Sequence, residues 1–277
     1  MLKLFKINNT QSFNNFIFKE KEIMSGQSKW STIKRKKGKA DAQRGKIFTK
    51  IIRVITVAAR SGGGDPETNV KLKSAIQLAK ENNMPNENIE KAVKRGIGEA
   101  DGVSYEELTY EGYGPGGVAV LIEVLTDNRN RTAPELRKIF SKNGGNLGES
   151  GCVAWMFDKR GYFIFEKAKV NEDTIVDLAL EAEAEDLKSD NKNIEVITPP
   201  EDYEKFSNLI KEQNIDCLLS EVTLIPKTTV DLEGKKATQM INLMEQLEDQ
   251  DDVQKVYANF NIADEIMEEI SASGDNS

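Results

Sequence analysis

The spacing of apolar residues in this chain is helical up to about residue 98 and alternates between strand and helix periods from Tyr105 onward, which limits the folds the chain can adopt. Between Ala40 and Ser61, apolar residues recur with a helical period, and Lys and Arg occupy the opposite side. A second helix is predicted after the Ser61–Gly64 break, with Asp65 as N-cap and Pro66 at its first position. A third begins at Pro85-Asn86, with Ile89, Val93 and Ile97 facing inward. We therefore predict a small helical domain over 40–98.

From Tyr105 onward, strand-like runs alternate with helical ones. Tyr105–Gly112 and Val118–Thr126 are predicted strands joined by a Gly- and Pro-rich hairpin turn, and a helix capped by Asp127 or Thr132 follows. Cys152–Phe157 is the next predicted strand, and a tight turn leads from it into the strand Tyr162–Glu166.

The segment 162–226 has the element order βαββαβ, which is the ferredoxin-like pattern. The later helix and strand are too few to fold alone, so they complete the unit that begins at Tyr105. The predicted fold class is multi-domain α and α+β: an N-terminal helical bundle followed by two α+β domains, one ferredoxin-like and inserted in the other. The predicted domains are a basic arm plus helical domain at 24–100, an α+β domain at 104–158 and 228–262, the insertion at 161–227, and a flexible tail at 266–277.

The first 23 residues allow two interpretations. They are acid-poor up to Phe18 and contain Lys3 and Lys6, as a mitochondrial presequence would, which places the protein in the mitochondrial matrix. The favoured interpretation takes Met24 as the true start and places the protein in the cytoplasm. No apolar run approaches the roughly 20 residues of a membrane helix, so no membrane partner is predicted.

Charge is distributed unevenly along the chain. Residues 24–60 hold eleven Lys and Arg and one acid, Asp41, whereas the formal net charge of the whole chain is −8. A strongly positive arm on an acidic body predicts a polyanionic partner that is met at one end, and nucleic acid is the first candidate.

The chain contains no histidine, which excludes Ser-His-Asp and Cys-His catalytic arrangements and His-containing zinc sites. Cys152 and Cys217 are predicted to be lone, buried, reduced thiols. The acidic runs Glu181–Asp186 and Glu245–Asp252 are predicted to form solvated surface rather than metal sites. We therefore predict no histidine-based catalysis and no metal site. No catalytic residue, cofactor or small-molecule substrate is predicted.

The candidate nucleic-acid contacts form three groups, and each has an alternative interpretation. The basic run with its neighbouring Trp can bind phosphate and stack on a base, or it can be a solvated tail with a capping ring. The basic face of the first helix can contact phosphate or remain a solvated face. The cations near Arg129 can contact phosphate or pair with surface acids such as Glu135. The candidate residues are Lys29, Trp30, Lys34, Arg35, Lys36, Lys37, Lys39, Arg44, Lys46, Lys50, Arg53, Arg129 and Arg131.

Several short motifs resemble those of one family. They are the opening Met24–Trp30, Gly45–Lys50, Tyr110–Gly117, Thr126–Thr132 and Gly144–Gly148. On these motifs the chain, over about 24–265, resembles the YebC/PmpR family, which includes the mitochondrial translational activator of cytochrome c oxidase. The resemblance supports Met24 as the start, and implies a helical domain followed by two α+β domains and a non-enzymatic role in gene expression.

The resemblance leaves open which nucleic acid is the partner. The first hypothesis is a ribosome-associated translation factor that binds ribosomal RNA or tRNA, because the arm can thread into folded RNA and no recognition helix for base edges is evident. The alternative is a DNA-binding transcriptional regulatory protein that binds duplex DNA through the helical domain. A metal-dependent nuclease built on carboxylates is a third hypothesis. Gln27 stands where the family usually has His, which puts any catalytic or ligand role of that position in doubt but leaves a binding role intact.

Overall fold

The computed structural model describes residues 41–98, 105–263 and 265–267. The predicted extension at 1–23, the arm at 25–39 and nearly all of the predicted tail lie outside these residues. The described chain falls into two compact units. One holds Phe157–Lys227, and the other holds the described residues up to Met156 and from Thr228 onward.

The helices and longer strands follow the predicted order, apart from the strand predicted at Cys152–Phe157, and within the described residues three two-residue strands add to them. They are α1 (Asp41–Gly62), α2 (Val70–Glu81), α3 (Asn86–Gly96), β1 (Glu106–Tyr113), β2 (Ala119–Thr126), α4 (Arg129–Lys142), β3 (Asn146–Leu147), β4 (Phe157–Glu166), α5 (Glu172–Glu181), β5 (Asp186–Ser189), β6 (Asn193–Thr198), α6 (Tyr203–Glu212), β7 (Leu219–Pro226), β8 (Val230–Asp231), α7 (Gly234–Asp249), β9 (Val253–Ala258) and β10 (Phe260–Asn261).

The first three helices confirm the predicted N-terminal helical region. Ile55 of α1 and Leu72 of α2 are fully buried in its core, and burial of one such side chain stabilises the fold by about 1.5–3 kcal/mol. The predicted start of α2 is wrong, because the Asn69 side chain caps this helix by accepting the N–H of Leu72 at 3.1 Å. Asp65 instead accepts the N–H of Glu67 in the preceding turn. Ile97, predicted to face inward, is exposed.

Gly96 sets how closely α3 approaches α1. A Cβ at this position would lie 2.5 Å from the carbonyl oxygen of Thr56 and 2.6 Å from the Cβ of Ala59, so the helices would have to separate. We expect Gly96→Ala to lower the free energy of unfolding by about 1–3 kcal/mol. Gly45→Ala is the matched control in α1, because nothing lies within 4 Å of its added Cβ. Greater helix propensity should make it stabilising by up to about 1 kcal/mol. Urea unfolding of both variants would contradict this packing if the two changes had the same sign.

In the second unit a four-stranded antiparallel sheet has the order β3-β1-β2-β9. The hairpin between β1 and β2 confirms the predicted turn at 113–117. Helices α4 and α7 pack on this sheet: a Cβ at Gly112 of β1 would meet the ring of Phe140, and one at Gly114 would meet Met240 and Leu243. A short parallel pair, β8 with β10, completes the unit.

The predicted strand at Cys152–Phe157 is wrong. The carboxylate of Glu111, which is buried, accepts the backbone N–H groups of Gly151, Val153 and Ala154 at 2.6, 2.6 and 2.8 Å. These donors are therefore not free to join a strand ladder. The predicted turn at 158–161 is also absent, because Phe157–Glu166 forms one strand that pairs with β7 from Phe157 to Ile164.

The unit Phe157–Lys227 has the predicted order βαββαβ, and its antiparallel sheet has the order β5-β6-β4-β7. Helices α5 and α6 cover one face, where Phe163 and Phe165 meet Phe206 in edge-to-face contacts. Cys217 in this unit and Cys152 in the other are not joined in a disulfide, and both are half-buried rather than buried as predicted.

Glu195 of β6 gives this unit a pH-dependent stability. Burial raises the pKa of its carboxyl to about 7, although Tyr162 Oη donates a hydrogen bond to Oε2 at 2.7 Å. The stabilisation from the neutral carboxyl is present below pH 4.5 and is lost as the pH rises through 7. We expect Glu195→Gln to raise the unfolding free energy by about 2 kcal/mol at pH 8 and by much less at pH 5. Urea unfolding at both pH values measures this, with the exposed Glu181→Gln as control. An equal effect at pH 5 and pH 8 would contradict it.

Candidate nucleic-acid interface

Three of the predicted phosphate contacts lie on one side of α1. Lys46, Lys50 and Arg53 are spaced four and three residues apart, which places them on one helix face. This face lies against the C-terminal end of α7 and the loop before β9. Lys46 Nζ is 3.0 Å from Asp249 Oδ2, and Lys50 Nζ donates to the backbone carbonyl of Glu248 at 2.5 Å. The basic face of α1 therefore contacts oxygen atoms of the same chain, an arrangement that neither sequence interpretation anticipated.

Arg53 makes the most enclosed of these contacts. Its Nη1 lies 2.7 Å from Asp252 Oδ1 and 2.5 Å from the carbonyl oxygen of Asp251. The guanidinium also lies over the ring of Tyr105, 5.9 Å from its centroid, within the range of a cation–π interaction. The Arg53 side chain is 13% exposed and that of Asp252 is 1% exposed, so solvent screens this pair far less than the Lys46 pair.

Asp252 is the centre of a buried polar cluster. Its Oδ2 accepts hydrogen bonds from Thr132 Oγ1 at 2.6 Å and Thr126 Oγ1 at 3.1 Å, and Arg131 Nη2 lies 3.1 Å from both carboxylate oxygens. The end of β2, the first turn of α4 and the start of β9 bring these groups together. Each oxygen of the carboxylate has several donors, which is how a buried charge is tolerated.

The surroundings of Asp252 favour its charged form. Burial raises the pKa of the carboxyl, but the hydrogen bonds from Thr132 and Arg131 and the charges of Arg53 and Arg131 outweigh burial and lower it. The carboxylate is therefore ionised at neutral pH. The prediction that Glu245–Asp252 is solvated surface is wrong for Asp252, because its partners come from distant segments.

The cations at the start of α4 divide into one that is paired and one that is exposed. Arg131 reaches both Asp252 and Asp127, the latter at 2.8 Å. Arg129 is exposed and makes no ion pair within the described residues. Asp127 or Thr132 was predicted to cap α4, and this prediction is wrong. The Asn128 side chain caps the helix by accepting the N–H of Arg131 at 3.1 Å, and the Thr132 hydroxyl donates to Asp252.

The remaining predicted contacts cannot be placed in this geometry. Arg44 belongs to α1, but its side chain lies outside the described part of the molecule. The arm residues lie outside it entirely: Lys29, Trp30, Lys34, Arg35, Lys36, Lys37 and Lys39. Across 41–98, 105–263 and 265–267, no group of three Cys, Asp or Glu side chains is arranged to hold a metal ion. None of the described helices combines the length and apolarity of a membrane span.

The chain is similar to known proteins in both sequence and structure. A family model described as the TACO1/YebC protein N-terminal domain matches residues 28–99, and one described as the TACO1/YebC second and third domain matches 105–260. Proteins from Syntrophus aciditrophicus and Pelotomaculum thermopropionicum, each called a probable transcriptional regulatory protein, are 55% and 58% identical to this chain. They align over 90% and 87% of it and over all of their own length. The crystal structure of a conserved hypothetical protein from Aquifex aeolicus, 45% identical, superposes with a TM-score of 0.71 and covers 83% of this chain and 95% of that one.

Proposed function

The chain belongs to the TACO1/YebC family, and on that premise we propose that it regulates gene expression by binding nucleic acid rather than by catalysis. The observation that carries this proposal is the concentration of eleven Lys and Arg in residues 24–60 of a chain whose net charge is −8. Such a segment is suited to phosphate, and the acidic remainder would orient it toward a polyanion. The absence of histidine from the sequence supports a role without catalysis.

As the working partner we propose duplex DNA in transcriptional control. The support is the shared name of the relatives, which are more than half identical to this chain over nearly all of it. The sequence alone ranks this function second, so the comparisons change the order of the two hypotheses. The contacts proposed for this role are the arm, from Lys29 to Lys39, and the exposed Arg129. Because the relatives are bacterial, we place this role in the cytoplasm.

A translation factor on ribosomal RNA or tRNA is the second candidate, and one observation favours it. Lys46, Lys50 and Arg53 contact oxygen atoms of α7 and its following loop, so these cations are already paired before a partner binds. The arm would then supply most of the phosphate contacts. An arm can follow the irregular backbone of folded RNA, whereas duplex recognition usually places a helix or ribbon in a groove.

A salt series on two kinds of target separates these functions. Fluorescence anisotropy would measure binding to mixed-sequence duplex DNA and to duplexes selected from a random pool, and co-sedimentation would measure binding to ribosomes. Sequence-selected duplex binding that persists at physiological salt, with weak ribosome binding, is expected for the transcriptional role. Ribosome binding that outlasts duplex binding as salt rises would replace it with the translational role. Failure to bind either target at low salt would refute both.

A further inference from the structure

The cation row of α1 meets a matching row of oxygen atoms, and we call this set of contacts the α1 clasp. It consists of Lys46 with the Asp249 carboxylate, Lys50 with the Glu248 carbonyl, and Arg53 with the Asp251 carbonyl and the Asp252 carboxylate. The oxygen atoms all lie within residues 248–252. They are oxygen acceptors, two of them on carboxylates, and the phosphates of a nucleic acid offer cations oxygen acceptors too.

The position of these acceptors at the end of α7 strengthens the likeness to phosphate. The last carbonyls of a helix carry about half an elementary negative charge between them, which adds to the charge of Asp249 and Asp252. Lys50 donates to the carbonyl of Glu248 in this last turn. The clasp thus satisfies the same positive charge that a polyanion would neutralise.

Opening the clasp would leave the Asp252 carboxylate with most of its hydrogen-bond donors. Without Arg53, Asp252 would still accept hydrogen bonds from Thr126, Thr132 and Arg131. The side chains of Lys46 and Asp249 are 44% and 59% exposed, so their pair contributes at most about 1 kcal/mol. Phosphate oxygens could therefore replace the acceptors of α7 without stranding a buried charge.

We propose that the α1 clasp is an autoinhibitory contact, in which residues 248–252 occupy the α1 cations until nucleic-acid phosphates displace them. This inference rests on the proposed function and names how that function is regulated. Displacement separates α1 from the end of α7 and adds Lys46, Lys50 and Arg53 to the interface. Nucleic-acid binding and clasp closure then exclude each other.

Carbodiimide cross-linking of the full chain tests this exclusion directly. The reagent joins a lysine amine to an adjacent carboxylate, and Lys46 and Asp249 lie 3.0 Å apart. Mass spectrometry would measure the yield of this cross-link as duplex DNA, or a folded RNA hairpin, is added to saturation. We expect it to fall by about threefold or more. The Lys205–Glu183 pair, at 3.2 Å within the Phe157–Lys227 unit, is the internal control and should keep its yield.

A charge variant provides the reciprocal measurement. Asp249→Asn removes the exposed acceptor of the clasp, so the dissociation constant for the same probes should fall by about two- to fivefold. Asp173→Asn, at an exposed position of α5, removes the same charge elsewhere and should change affinity less.

The possible results separate the two proposals. If the probes bind while the Lys46–Asp249 yield stays constant, or if the two variants gain affinity equally, the autoinhibitory contact is refuted and the proposed function stands. If no probe binds at low salt, the proposed function fails and the inference falls with it.

Discussion

Reversing the four cations of the run at 34–37 to glutamate is expected to abolish nucleic-acid binding. The change shifts the charge of the arm by eight units, and each lost phosphate contact weakens binding and flattens its salt dependence. We expect affinity for duplex DNA or ribosomes to fall by at least about 100-fold at low salt. The slope of log K against log salt should fall by about three to four. Anisotropy and co-sedimentation across a salt series measure both quantities. The variant replaces Lys34, Arg35, Lys36 and Lys37.

A second quadruple variant separates the local effect from that of net charge. It reverses four exposed lysines outside residues 24–60, namely Lys80, Lys211, Lys235 and Lys236. This control undergoes the same change in total charge, but we expect it to keep most of its affinity. Equal losses in the two variants would show that the partner senses net charge, and the arm would lose its special role. A lower melting temperature in the arm variant would instead indicate that the run packs structurally.

The helices and the order of the strands follow from local patterns in the sequence. The 3.6-residue period of α1 places Ile51, Ile55 and Ala58 in the core, as the structure confirms. The βαββαβ order at Phe157–Lys227 is equally local. Asp190-Asn191 separates β5 from β6, and Pro199-Pro200 separates β6 from α6. Prediction from local patterns was wrong where a distant side chain accepts the backbone N–H groups of a segment. The Glu111 carboxylate accepts the N–H groups of Gly151, Val153 and Ala154. The residues 151–157 themselves do not indicate that such an acceptor is present.

The sequence predicts which face of α1 carries the cations, but it does not predict which groups of the chain those cations contact. A helical wheel places Lys46, Lys50 and Arg53 on one face of α1, yet the acids and carbonyls that meet them lie about 200 positions later in the chain. The burial of Asp252 was not predicted for the same reason, because in the sequence this residue is one of several acids in an acidic run. The sequence of Thr126–Thr132 gave a partial indication of this polar cluster. Its two threonines end a strand and begin a helix, where hydroxyl groups often serve as acceptors or donors for neighbouring backbone. Here their hydroxyls bind the Asp252 carboxylate in addition to the backbone of Asn128.

Replacement of Asp252 is expected to cost more stability than any other single change considered for this fold. Asp252→Ala removes the shared acceptor of Thr126, Thr132, Arg131 and Arg53, and it leaves the half-buried Arg53 charge without its carboxylate. Loss of one partner of a buried ion pair typically costs about 3–5 kcal/mol, and we expect a loss of this size at pH 7. Asp252→Asn keeps an acceptor oxygen but loses the charge, so its cost should be smaller. Urea unfolding of the three proteins measures the order.

The pH dependence and an exposed neighbour distinguish this explanation from a general effect of losing an acid. The pKa of Asp252 is lowered in the folded protein, so its stabilisation is present above the unfolded value of about 3.9 and is lost as the pH falls through the folded value. The difference between wild type and Asp252→Ala should therefore shrink at the acid end of the series. Asp249→Ala removes an acid that is 59% exposed and should cost less than about 1 kcal/mol at every pH. Equal costs for the two alanine variants, or an Asp252→Ala difference that stays constant into the acid range, would show that the buried carboxylate does not hold α1 and α4 to β9.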